Sequence, residues 1–192
     1  VASRSVERAK KWAAENNIRG AYGDYEQMLE KEKPDCVYIA TTADSHYDLT
    51  MLCLDHGVPV LCEKAAFLNS AQAREVFSRS EKEGIFVMEA LWSRFLPAVK
   101  QAKEWIAHGY VGKPSFAQID IGFLAPPEAG NRYRNPKLGG GAAFDITVYA
   151  YEIARFLLGQ EKGLTASAVW GPTGVDVTDH VVLHFPEMCA SL

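Results

Sequence analysis

Between Val1 and Glu89, short uninterrupted apolar runs alternate with longer segments of helical periodicity, and few folds accommodate that rhythm. The runs are Cys36–Ala40, Val58–Cys62 and Ile85–Met88. An apolar run with no polar alternation predicts a strand buried on both faces, the situation of a parallel strand. The segments around the runs are Ser5–Asn16, Tyr25–Glu30, Ser45–His56 and Asn69–Glu83. Val6, Ala9, Trp12 and Ala13 share one face of the first helix. Asp24 and Gln27 form a capping pattern for the second, and Pro34 stops it. Tyr47, Thr50, Met51 and Leu54 recur at helical spacing in the third, with Gly57 at its stop position. Gly84 ends the fourth. Strands alternating with helices imply βαβ units and a parallel sheet.

The pattern changes at Leu91–Phe95, where the first domain ends. Pro97 opens a helix that runs to about His108. Ser115–Phe123, Leu164–Trp170 and Val177–Phe185 then alternate apolar and polar residues, which predicts an antiparallel or mixed sheet with one covered face. Asp145–Leu158 is a helix between them, with Asp145 as its N-cap and an apolar stripe of Ile146, Tyr149, Ala150, Ile153 and Leu157. The loop Leu124–Gly141 is rich in Gly, Pro and Arg. Long loops in compact domains are usually functional or disordered.

Composition narrows the function classes. Hydrophobic residues make up 48 % and charged residues 23 % of the 192, enough for a core without metals or disulfides. A net charge of −4 supplies no general basic field for nucleic acid. No apolar stretch reaches the ~20 residues of a membrane span. The four cysteines form no C-x-x-C pair, and Cys36 and Cys62 read as small core hydrophobes. Reduced thiols point to the cytoplasm. The histidines lack metal-ligand spacing except His180 and His184, and on a strand those stand ~13 Å apart at 3.3 Å per residue. No metal is expected.

In an open parallel sheet, ligands bind beyond the carboxyl ends of the strands. The polar residues that follow the apolar runs there are Ser3-Arg4, Thr41-Thr42-Ala43-Asp44-Ser45-His46, Glu63-Lys64 and Glu89. Glu63-Lys64 is the sharpest of these, a carboxylate beside an ammonium at the rim of a cleft. Taken alone it also fits a solvated loop. Trp92, Arg94 and Phe95 line a pocket or pack between domains, and Arg132 and Arg134 reach over a polyol or phosphate, or lie in solvent.

Four motifs in order give a family resemblance. Cys62-Glu63-Lys64, after a strand and before a helix, resembles the Glu-Lys-Pro signature of the glucose–fructose oxidoreductase/inositol dehydrogenase (Gfo/Idh/MocA) family. Thr41–His46 resembles its Thr-x-Asn/Asp-x-x-His loop. Glu89–Pro97 is similar to its crossover into the second domain, and Gly139–Tyr149 to its Gly-rich segment before the catalytic helix. Tyr149 and Gly174–Asp179 bring the chain nearest the dimeric dihydrodiol dehydrogenase branch, whose members also oxidise sugars such as xylose. Ala65 stands where the motif has proline, at a peptide bond that is often cis in the family. The resemblance implies a Gly-x-Gly-x-x-Gly fingerprint before Val1, so the chain reads as a fragment that binds dinucleotide poorly by itself.

The fold class expected is therefore α/β. An incomplete Rossmann-like parallel sheet spans residues 1–93. A partial α+β substrate domain, with a mostly antiparallel or mixed open sheet, spans 94–192. The resemblance implies hydride transfer between NADP(H) and a secondary alcohol of a sugar, polyol or trans-dihydrodiol. Tyr149 acts as general base, Lys64 tunes it and holds the substrate oxygen, and Asp145 orients Lys64 or the substrate. Ser3, Arg4, Thr41, Thr42, Asp44, His46, Glu63 and Lys64 bind the cofactor, and Trp92, Arg94, Phe95 and Arg132 bind the substrate. NADP is favoured over NAD because Arg4 stands where an NAD site carries an acid for the ribose hydroxyl. A homodimer follows by likeness only. Two other readings stay open: a relative that uses the cofactor for glycoside hydrolysis, and a catalytically silent sugar- or dinucleotide-binding module.

Overall fold

A computed structural model describes residues 1–128 and 130–192. They form two compact units, one of Val1–Thr41 with Ser45–Glu89, the other of Thr42–Asp44 with Ala90–Leu192.

The first unit holds a three-stranded parallel sheet in the order β1 (Val37–Ile39), β2 (Val60–Cys62), β3 (Val87–Glu89). Val37, Val60 and Val87 stand in register. Its helices are α1 (Val6–Glu15), α2 (Tyr25–Glu32), α3 (His46–Asp55) and α4 (Ser70–Glu83). Short polar side chains start three of them: Ser5, Asp24 and Asn69 accept from the backbone N–H groups of Arg8, Gln27 and Gln72. Such caps are worth about 1 kcal/mol each. Gly84 ends α4 at φ 68°, a conformation cheap only for glycine.

The core of this unit gathers Leu29, Ile39, Leu54, Val60, Cys62 and Val76. Each side chain buried there contributes about 1.5–3 kcal/mol. Burial drives the Cys62 thiol up to about 12 and that of Cys53 up to about 11, so neither is a nucleophile at neutral pH.

Two expectations fail here. Cys36 is exposed, and Tyr38 is 56 % exposed, so the run Cys36–Ala40 is not buried on both faces. Among the described residues β1 pairs with β2, and α3 packs on one of its faces, where Ile39 is buried. Trp12 is likewise 51 % exposed, while Ala9 and Ala13 carry the packing of α1. Before α1, Ala2 forms an isolated parallel bridge with Tyr22.

The second unit holds a four-stranded mixed sheet in the order β4 (Phe116–Gln118), β7 (Cys189–Ser191), β6 (Asp176–His184), β5 (Gly163–Trp170). β4 runs parallel to β7, and the other pairs are antiparallel. α5 (Pro97–Ala107) packs against α6 (Val148–Leu158). Ala150 and Ala154 of α6 meet Leu183, Ala190 and Leu192 in its core.

The alternating strands are covered unequally. Every residue of β5 is exposed, because the core centres on β6 and β7 and β5 lies at the far edge. The expected strand Ser115–Phe123 shrinks to β4. Ala117 and Ile119 reach the core, but Ile121 and Phe123 are 45 % and 50 % exposed. The expected helix from Asp145 opens as a π-helical turn, Ala143–Thr147, and becomes α-helical only at Val148. Asp145 is thus inside a wide turn and is not an N-cap. Among the described residues, no helix is long and apolar enough to cross a membrane.

Candidate active site

The three strands of the first unit run parallel, so their carboxyl ends lie along one edge of the sheet. Thr41, Glu63-Lys64 and Glu89 are set there or just beyond, the position a dinucleotide occupies in sheets of this kind. This arrangement fits a nucleotide cofactor.

The loop after β2 is held by groups on either side of it. Tyr38 donates its hydroxyl to the Glu63 carboxylate, which also accepts from the Lys64 N–H at 3.2 Å. The Lys64–Ala65 peptide is cis. Glu89 accepts from the Ala66 N–H at 2.9 Å. His46 Nδ1 lies 3.0 Å from the Ala65 carbonyl oxygen, and Nε2 lies 3.2 Å from that of Thr41. Carbonyl oxygens only accept, so the imidazole donates through whichever nitrogen carries a proton. His46 is 1 % exposed. In this position it ties the loop after β1 to the loop that carries Lys64. Ser45 adds a hydroxyl donation to Thr41 at 2.8 Å. Ser3 and Arg4 lie at the other end of the unit's sequence, where the Ser3 N–H donates to the Tyr22 carbonyl and Arg4 is exposed.

The second unit builds its constellation around the π-helical turn. The loop before it contains two 3-10 turns, Arg132–Arg134 and Pro136–Leu138, capped by the side chains of Asn131 and Asn135. Arg132 reaches Asp145 at 3.1 Å. On the sheet side, Asp176 accepts from the Ala143 N–H at 2.5 Å, and Asp179 accepts from the Thr147 hydroxyl at 2.8 Å. Partial burial, partly offset by the Thr147 donation and reinforced by the Asp176 charge, raises the Asp179 carboxyl above its ordinary range. The wide turn is therefore clamped at both ends by one strand.

Glycine is required where this loop closes. A Cβ on Gly140 would lie 2.7 Å from the Arg132 carbonyl oxygen and 2.8 Å from that of Asn135. Both are backbone atoms, which cannot rotate away. Gly140→Ala is expected to destabilise the second unit by about 1–3 kcal/mol, the usual cost of overpacking. A urea titration reads this directly, and an unchanged midpoint would show that the loop relaxes freely.

Tyr149 stands at the start of α6 and is half-buried. Its place in the apolar stripe does not seal it in the core. Its phenol oxygen accepts from Trp92 Nε1 at 2.9 Å, and the two rings meet edge-on with centroids 5.7 Å apart. Trp92 and Phe95 are 57 % and 55 % exposed. Arg94 donates through Nε to Glu152 at 2.5 Å, with its side chain 46 % exposed.

Several residues escaped the reading of the sequence. Glu152 lies outside the apolar stripe of its helix, yet it is 4 % exposed and accepts from both Ser93 and Arg94. Glu89 and the Asp176–Asp179 pair hold loops whose ends are remote in sequence. Only the polar residue after a strand, for Glu89, was a usable signal. Glu26, Glu30 and His56 also bring one ligand atom each within 4.8 Å of one another at the surface, a proximity that histidine spacing does not reveal.

Known proteins resemble the chain over almost its whole length. Residues 1–91 match the family model described as an oxidoreductase family with an NAD-binding Rossmann fold, and residues 99–192 match that of the GFO/IDH/MocA C-terminal domain. Trans-1,2-dihydrobenzene-1,2-diol dehydrogenase of Xenopus laevis is 35 % identical over 187 residues, covering 96 % of this chain and 56 % of the relative. Its counterpart in Homo sapiens is 35 % identical over 190 residues, covering 97 % and 56 %. The chain thus spans about half the length of the curated relatives it matches. Among solved structures, a 3-ketoreductase from Actinomadura kijaniata in complex with NADP and TDP-benzene superimposes with a TM-score of 0.89 at 26 % identity, covering 100 % of this chain and 59 % of its own. A levoglucosan dehydrogenase in complex with NADH gives 0.87 at 21 % identity, covering 99 % and 55 %.

Proposed function

This chain belongs to the GFO/IDH/MocA oxidoreductase family, and from that premise we propose that it serves an NADP-dependent dehydrogenase acting on a secondary alcohol of a sugar, polyol or trans-dihydrodiol. The observation that carries the reading is the oriented phenol of Tyr149, held by Trp92 and presented by a turn that also carries Asp145. The dihydrodiol dehydrogenases among the relatives support the substrate class.

When bound, the nicotinamide accepts or returns the hydride. The chain's own residues handle the proton and the orientation. Tyr149 removes the hydroxyl proton as general base. A free phenol, with a pKa near 10, is a poor base at pH 7, so its anion needs stabilising donors. Trp92 Nε1 is one such donor. Lys64 holds the substrate oxygen through its ammonium. Asp145, paired with Arg132, orients the substrate hydroxyls. Thr41, Thr42, Asp44, His46 and Glu63 shape the cofactor edge, with His46 acting through the loops it ties. Trp92, Phe95 and Arg132 face the substrate. The division between cofactor and substrate parts is placed at residues 1–93 and 94–192.

Arg4 carries the choice of NADP. A guanidinium at this position pairs with a 2′-phosphate, whereas an acid there pairs with a 2′-hydroxyl. Solved relatives in this fold hold NADP in one case and NADH in another, so the family alone does not decide. The test measures kcat/KM for both cofactors in the full-length protein, with trans-dihydrobenzenediol and D-xylose as substrates. Activity with NADP and an inverted preference in Arg4→Asp are expected. A ratio that hardly moves would remove Arg4 as the selector, and no oxidation of either substrate would remove the substrate class.

The proposed homodimer contact is the outer face of the second sheet, where Leu164, Val169 and Trp170 of β5 are exposed among the described residues. Unpaired, reduced cysteines support the cytoplasm as its compartment.

A further inference from the structure

We propose that Glu152 is a positioning residue for Tyr149. It acts by pinning the Trp92–Phe95 turn to α6, so that the indole N–H of Trp92 is delivered to the phenol oxygen. The inference rests on the role proposed above for Tyr149.

A buried carboxylate is costly unless its oxygens are paired. Glu152 is 4 % exposed and fully engaged: Oε2 accepts from the Ser93 hydroxyl at 2.9 Å, and Oε1 accepts from Arg94 Nε at 2.5 Å. Ser93 is itself 3 % exposed. The two donors are neighbours in the 3-10 turn Trp92–Phe95, whose first member is the donor to Tyr149. Tyr149 and Glu152 stand three apart on α6, hence on adjoining parts of one face. The turn therefore meets the helix at three points in a row: Trp92 on Tyr149, Ser93 on Glu152, Arg94 on Glu152.

The division of labour follows from exposure. Trp92 is 57 % exposed, and a single hydrogen bond in that position does not fix an indole by itself. The buried pair Ser93–Glu152 supplies the rigidity, and Arg94 neutralises the charge while its guanidinium lies 5.1 Å from the Phe156 ring. The N–H that reaches Tyr149 then occupies one lone pair of the phenol oxygen. Glu152 touches neither substrate nor cofactor in this account.

The test is made in the full-length protein with kinetics and with the indole N–H resonances of a 15N-labelled sample. Trp92→Phe identifies the resonance of Trp92, and Tyr149→Phe moves it by removing its acceptor. Glu152→Gln is expected to move the same resonance, although Glu152 does not touch Trp92. It should lower kcat about 10- to 100-fold, the scale of a small misplacement, and change KM less than about twofold. In a Trp92→Phe background, Glu152→Gln should cost little more. Should Glu152→Gln fail to fold, Arg94→Met and Ser93→Ala carry the test. Each keeps most of the local packing, and each should shift the resonance and reduce kcat. An unmoved resonance with unchanged kcat, or a full multiplicative loss in the Trp92→Phe background, would overturn the inference while leaving Tyr149's role standing. Full activity in Tyr149→Phe would instead remove the role itself.

Discussion

Tyr149→Phe is expected to lower kcat for alcohol oxidation by about 10²–10⁴, the usual worth of a general acid/base. The substitution removes one oxygen and leaves the ring. Its edge-on contact with Trp92, at 5.7 Å between centroids, survives, so packing of α6 is little disturbed. The loss should therefore appear in kcat and in kcat/KM together, as it does when an interaction made only in the transition state is removed. Cofactor affinity, measured by NADPH fluorescence, should hardly change. A kcat within about threefold of the parent would show that another group takes the proton, since a general base contributes at least ~10².

Lys64→Met is expected to cost a similar factor. Methionine keeps the length and apolar stem of lysine and removes the ammonium. The loop that carries Lys64 is held by groups other than its side chain. Glu63 accepts from the Lys64 N–H, Glu89 from the Ala66 N–H, and His46 meets the Ala65 carbonyl. The backbone should therefore stay in place when the charge is lost. Loss of the charge removes the donor proposed above to hold the substrate oxygen, so the effect should fall on kcat more than on cofactor affinity. The double variant Lys64→Met, Tyr149→Phe should lose much less than the product of the single losses, because residues serving one step are non-additive. Multiplicative losses would assign the two residues to separate steps.

Much of the fold is legible in the sequence because it is encoded locally. The runs Val58–Cys62 and Ile85–Met88 pair in parallel through β2 and β3, and Asp24, Asn69 and Gly84 mark helix ends by their own backbone chemistry. The family motifs are also contiguous, so Glu63-Lys64 and Gly139–Gly141 stand out without any knowledge of contacts. Periodicity misjudged burial where it depends on neighbours. Tyr38 sits in an apolar run and Trp170 in an alternating strand, yet both are exposed, because among the described residues other elements cover each strand incompletely.

The partners of the candidate residues lay beyond the sequence. Glu152 lies outside the apolar stripe of its helix, and nothing marks it as buried until Ser93 and Arg94 arrive from the turn before α5. His46 looks like a loop residue that contacts a ligand, yet its ring is sealed between two carbonyls. The turn that presents Asp145 is π-helical, with Asp176 and Asp179 of β6 holding its two ends. By itself the sequence determined the order and type of most elements, since propensity, capping and apolar period act over a few residues. Tertiary structure alone decided which polar groups are satisfied and by whom, because a hydrogen bond between Ser93 and Glu152 depends on a chain path that no local pattern records.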